Sequence, residues 1–157
     1  LIAIAAWGVI QTFWQPEWLA ASLSTSYPQF GSLHINTAQA MAALAVLAPQ
    51  ILLFIWAAYA GWVGFGHVAD VTGFDAEASA WIRDSGLGLA LSSLAMLLSH
   101  PALSAIISYG QPEGHRFITI SVGTPELMTL LVSFVMFAFA QLIKLASDID
   151  RDNKLIV

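Results

Sequence analysis

The chain has 157 residues, 58% of them hydrophobic and only 10% charged, with no cysteine and a formal net charge of −5. A soluble domain is about one-quarter charged, so a water-soluble globule is the first class to be excluded. Five basic residues against ten acidic ones leave no basic footprint for direct nucleic-acid binding, and the lack of cysteine rules out disulfides, thiolate metal sites, iron–sulfur clusters and cysteine nucleophiles.

The charges are also excluded in blocks. None occurs between Glu17 and Asp70, between Asp84 and Glu113, or between Glu126 and Lys144, leaving charge-free runs of 52, 28 and 17 residues. A bilayer core about 30 Å thick takes roughly 20 apolar residues per spanning helix. The gaps therefore predict an all-α integral membrane protein, a single domain of four transmembrane helices surrounded by the lipid bilayer.

The first span runs from Leu1 to about Trp14 and closes at Gln15-Pro16. At 1.5 Å per residue it covers about 21 Å, so it is expected to be truncated and completed by residues before Leu1. A signal-peptide core is the competing reading. No small-residue cleavage motif follows, and Trp14 and Trp18 read as interfacial anchors. The external loop over about 15–38 is nearly uncharged and carries Trp18, Tyr27 and Phe30, which predicts that it lies along the membrane surface.

The second span is predicted over about 39–63, with Tyr59 and Trp62 at its far end. Phe74-Asp75-Ala76-Glu77 then opens a short helical stretch leading through Ile82 and Arg83 into Gly86, and the third span follows over about 87–107. The loop over about 108–124 begins with turn residues Gly110, Pro112 and Gly114. Alternation over Phe117–Val122 predicts a short β-hairpin there, with an extended loop as the alternative.

The fourth span, about 126–146, starts at Thr124-Pro125-Glu126: an N-capping hydroxyl, a proline in the first turn and an acid at the positive helix end. Lys144 can snorkel at its far end. The tail, 147–157, is predicted to extend this helix into water, with Lys144/Asp148 and Asp150/Lys154 as i,i+4 pairs. Arg83, Lys144, Arg151 and Lys154 share one side against Arg116 on the other, which predicts a cytoplasmic C-terminus.

The order Phe74-x-x-Glu77, Ile82-Arg83-x-x-Gly86, two spans, then Ala146-x-x-Ile149-x-x-Asp152-Asn153-x-Leu155-x-Val157 resembles a bacterial family. It comprises the small membrane proteins grouped as domain-of-unknown-function family 2975. The likeness covers about residues 70–157, includes Ile120-Ser121-Val122-Gly123, and departs where Ile156 replaces a common Thr. It implies four helices in a bacterial inner membrane and, from the frequent pairing of such genes with a small helix-turn-helix regulator, a membrane partner that restrains that regulator. It implies no catalytic residue. Phe74, Asp75, Glu77, Arg83, Asp148, Arg151, Asp152 and Asn153 are then the cytoplasmic docking candidates.

Inside the third span, Ser85, Gly88, Ser92, Ala95, Ser99 and Ala102 follow a 3-4-3-4-3 spacing. At 100° per residue they share one face, which lets another helix approach closely in lipid. Ala57, Gly61 and Gly64 in the second span form the predicted partner stripe, and Ala38, Ala42 and Ala45 a further one. A face reserved for another subunit is the alternative.

Three polar side chains, Gln50, His100 and Gln141, fall inside spans. An unpaired polar group in hydrocarbon costs several kcal/mol, so each predicts a partner. Gln50 follows Pro49 and His100 precedes Pro101, where proline frees a backbone carbonyl. The two are predicted to bond to each other, to such a carbonyl or through water. Alternatively His100 ligates a chlorin or haem, a cofactor reading that requires a Soret or near-infrared band lost in His100→Ala. His34, His67, His100 and His115 are too scattered for zinc, and no phosphate loop, nucleophile elbow or HExxH motif occurs.

The sequence thus predicts a non-enzymatic accessory or regulatory subunit, without a cofactor, that works by protein contacts. Its partners would be other membrane subunits or a small cytoplasmic helix-turn-helix regulator. A small transporter or channel is the rival class; it would need ionisable groups or broken helices at the midplane, and no span holds a carboxylate.

Overall fold

The computed structural model describes residues 36–70, 76–109 and 122–154, together with Ile118 and Ile120. They form three helices: α1 (Thr37–Asp70), α2 (Ala76–Tyr109) and α3 (Thr124–Lys154). Each is long and apolar enough to cross a membrane. The chain is a membrane-embedded multi-pass helical protein.

Two parts of the predicted fold class are corrected. The count of four spanning helices becomes three among the described residues, and the segment predicted over 1–14, already too short alone, lies outside them. No strand is present among the described residues either. Ile118, Ile120 and Val122 are irregular and exposed, and the turn residues of the predicted hairpin lie outside the description. Alternation alone does not hold a two-stranded hairpin together; it needs a third strand or a packed face, and these three side chains bury nothing.

The helices also outrun their predicted limits. α1 continues past Val63 to Asp70, and the short stretch before Gly86 fuses with the third span into one helix. Gly86 does not break α2 because the missing side chain is used: a Cβ there would sit 3.2 Å from both Met136 Cβ and Ser133 O. Pro49 and Pro101 lie within α1 and α2 without ending them. Near Pro101, Ser99 donates to Met96 O (2.7 Å) and Ser104 to Pro101 O (2.9 Å), so both hydroxyls are satisfied within their own helix.

The start of α1 is a reciprocal capping box. Gln39 N donates to Asn36 Oδ1 (2.8 Å), and Asn36 N donates to Gln39 Oε1 (3.1 Å). At the start of α3 the helix already includes Thr124. Gly123 therefore takes the cap position predicted for Thr124, and its carbonyl accepts from Leu127 N (3.5 Å).

The helices divide into two compact units. One contains residues 37–51 of α1 and 95–109 of α2. Ala40, Ala43, Leu103 and Ile107 are buried, and Gln39 Nε2 donates to Ile106 O (3.3 Å), tying the capping box to the facing helix.

The other unit contains 52–70 of α1, 76–94 of α2 and all of α3. α1 and α2 run antiparallel over small residues. Gly64 lies against Ile82 and Trp81, Gly61 against Ser85, and Gly88 against Ala57 and Trp56. α2 and α3 are held by three hydroxyl–carbonyl bonds: Ser79 to Ala140 O (2.9 Å), Ser133 to Gly86 O (2.8 Å) and Ser93 to Glu126 O (2.9 Å). Successive rungs are seven residues apart on both helices, in opposite directions. This is the heptad register of an antiparallel coiled-coil seam, with hydroxyls where a soluble seam would have leucines.

The burial pattern is inverted relative to a soluble protein. Among the described residues eight serines are buried, whereas Leu52, Leu94, Leu98, Leu131 and Phe134 are exposed. Lipid is as apolar as leucine, so such side chains gain nothing by turning inward, while a hydroxyl gains a partner. One cluster departs from this. Ala78, Ile82, Ala140 and Ile143, with Val68 and Met136 against them, form an aliphatic core where α2 begins and α3 approaches its charged tail.

Candidate functional site

The packing face predicted on α2 is turned inward. Ser85, Gly88, Ser92 and Ser99 are buried, and Ala95 and Ala102 half-buried. Of the predicted partner stripe, Ala57, Gly61 and Gly64 are all buried. The further stripe behaves differently: Ala38, Ala42 and Ala45 are exposed, and the neighbouring Ala40 and Ala43 take the buried positions. Ala38 and Ala42 instead line an open groove of about 720 Å³ with Asn36, Gln39, Ala105, Ile106 and Tyr109.

Sequence reasoning missed the second face of α2. Ser79, Gly86 and Ser93 bond to α3, while Ser85, Gly88 and Ser92 share the predicted face. The adjacent pairs Ser85-Gly86 and Ser92-Ser93 carried the signal. Neighbours on a helix point about 100° apart, so two small residues in succession give the helix two close-packing faces. Matching heptads at 79/86/93 and 126/133/140 could have identified the partner.

Of the three intramembrane polar residues, Gln50 and His100 are half-buried and belong to the same unit, whereas Gln141 is exposed on α3. Glu126, predicted to favour the positive end of α3, is buried, with its Oε2 only 2.6 Å from where a Cβ on Gly123 would be. That places its carboxylate over the first turn, where unpaired amides point outward. Among the described residues no group of three or more His, Asp or Glu side chains could hold a metal ion.

The remaining candidates fall in two stretches of the sequence. Of the fifteen charged residues in the chain, eleven lie in 70–84 and 144–154, seven acidic and four basic. The Ser79–Ala140 bond brings the start of α2 beside this part of α3. Phe74 and Asp75 lie outside the described residues. Glu77 and Arg83 are exposed, and Arg83 pairs with its neighbour Asp84 (3.3 Å). On α3, Asp148 pairs with Arg151 at i,i+3 (3.6 Å), and Asp152 and Asn153 are exposed. Tyr59 and Trp81 meet edge-to-face at 6.3 Å, an aromatic pair of the type found at membrane interfaces. No family model matches this sequence, and no curated protein or solved structure matches it.

Proposed function

We propose that this chain is a non-enzymatic subunit of a bacterial inner membrane, with its C-terminus in the cytoplasm, that acts by binding another protein at its cytoplasmic end. One observation carries the reading. Ser79, Ser93 and Ser133 join α2 to α3, while eleven of the fifteen charged residues fall in two stretches of sequence, 70–84 and 144–154, that include the start of α2 and the end of α3, one end of the three-helix unit. The distribution of basic residues supports the orientation, with Arg83, Lys144, Arg151 and Lys154 at that end. The resemblance of residues 70–157 to family 2975 supports a small helix-turn-helix regulator as the partner. A larger membrane assembly, contacted through lipid-facing aromatics, is the other version of the same reading.

Co-purification in mild detergent tests this. The expected result is a stoichiometric soluble partner that is lost when Glu77, Asp148 and Asp152 are together replaced by lysine. A partner complex indifferent to those changes would move the contact to the lipid-facing surface. Saturable solute flux in proteoliposomes would replace the reading with a transporter.

A further inference from the structure

Exposed leucines are ordinary where lipid covers a helix and costly where water does. The register of α2 against α3 separates the two cases. Ser79 bonds to Ala140, and the helices run antiparallel, so Leu142 lies level with Glu77, the first charged residue of α2. Leu145 and Ile149 lie beyond it, past the start of α2 at Ala76. The Arg83–Asp84 pair sits a further six residues toward the membrane from Glu77, about 9 Å along the axis. The three side chains are nevertheless 62%, 59% and 54% exposed. They follow the 3-4 spacing of one helix face, and that face points away from Ala140 and Ile143, which fill the aliphatic core.

Charge is arranged around this stripe with a definite sign. At 100° per residue, Asp152, Asp148 and Asp150 project about 50°, 90° and 110° from its centre. Lys144, Arg151 and Lys154 project about 130–150° away, toward the opposite side. The stripe is thus an apolar strip with acidic edges. A second copy would set aspartates against aspartates, and an anionic lipid surface would repel the same edge. A helix with leucine-like residues on one face and lysines or arginines beside them matches both features.

We propose that Leu142, Leu145 and Ile149 form the seat of a basic amphipathic helix from a cytoplasmic partner. The proposal rests on the cytoplasmic assignment made above and specifies the chemistry of the partner.

The test uses the full chain in nanodiscs of zwitterionic phosphatidylcholine, with empty discs as the blank. The probes are two fluorescent designed helices, one of leucine and lysine and one of leucine and glutamate. The lysine helix is expected to bind about tenfold or more tightly than the glutamate helix. Leu145→Asp with Ile149→Asp abolishes that binding, and Asp148→Lys with Asp152→Lys reverses the preference. These side chains lie on the surface, so the unfolding midpoint is expected to hold in all four substitutions.

Equal affinity for the two probes, or binding that survives Leu145→Asp with Ile149→Asp, would overturn the proposal. So would a solvatochromic label at Ile149→Cys reporting a lipid environment without peptide, since the chain has no other cysteine. A change in oligomeric mass on Leu145→Asp without peptide would assign the stripe to a second copy. A co-purified partner released by the lysine substitutions at Glu77, Asp148 and Asp152 but retained by Leu145→Asp would remove the seat and leave the partner reading standing. Selective peptide binding with no co-purified partner would do the reverse.

Discussion

Gly64→Ala and Gly88→Ala are each expected to destabilise the protein by about 1–3 kcal/mol, the range for overpacking a closed contact. A Cβ on Gly64 would lie 2.7 Å from Ile82 Cγ1 and 3.0 Å from the Ile82 backbone nitrogen. One on Gly88 would lie 2.8 Å from both Ala57 Cβ and Trp56 Cε3. Neither neighbour is the free end of a flexible chain, so the helices themselves must separate. Gly66, two residues beyond Gly64, is the internal control, because a Cβ there meets nothing within 4 Å. Gly66→Ala is expected to be neutral or to stabilise by up to about 1 kcal/mol through helix propensity alone. Unfolding titrations in mixed micelles measure all three. Three equal effects would mean that α1 and α2 do not close over these glycines.

The second large effect is expected from the hydroxyl ladder. Single transmembrane hydrogen bonds contribute about 0.6 kcal/mol on average and at most about 1.7. Ser79→Ala, Ser93→Ala and Ser133→Ala combined are therefore expected to cost about 2 kcal/mol, while each alone is near the limit of detection. The substitutions leave the close approach intact and remove only the bonds to Ala140, Glu126 and Gly86 carbonyls. The triple variant is measured in the same titration. A triple variant as stable as the parent would show that small size, and not the hydroxyl, sets the α2–α3 contact.

These two predictions separate what the sequence made legible from what it concealed. The charge gaps made the membrane class legible, because a charge-free run of bilayer length has no counterpart in water. The α1–α2 contact was legible for a related reason: Gly61, Gly64 and Gly88 have no other use at helical spacing. The α2–α3 contact was not, because serine is equally at home on a cap, in a turn or in a helix, and its meaning depends on a carbonyl supplied by another helix. Gly86 shows the same limit from the other direction. Read locally it ends a helix, yet its empty side is filled by Met136 and Ser133 of another helix. The predicted hairpin failed because alternation specifies a strand only when a partner edge is present.

The candidate docking residues follow a parallel division. Glu77, Arg83, Asp148 and Asp152 were visible as charges in a chain that has few. The stripe of Leu142, Leu145 and Ile149 was hidden, because leucines near the end of an apolar run read as membrane until the antiparallel register shows how far α3 outreaches α2.

The membrane reading rests on Leu94, Leu131 and the other exposed apolar side chains between the two charged ends of the three-helix unit facing lipid, while Ser79, Ser93 and Ser133 face inward. Spin labels at Leu94→Cys and Leu131→Cys, introduced one at a time into this cysteine-free chain and reconstituted in bilayers, test it by collision with two quenchers. Strong relaxation by membrane-dissolved oxygen and almost none by a water-soluble nickel chelate is expected at both sites. Strong relaxation by the nickel chelate at either site would place those leucines in water and overturn the assignment to lipid.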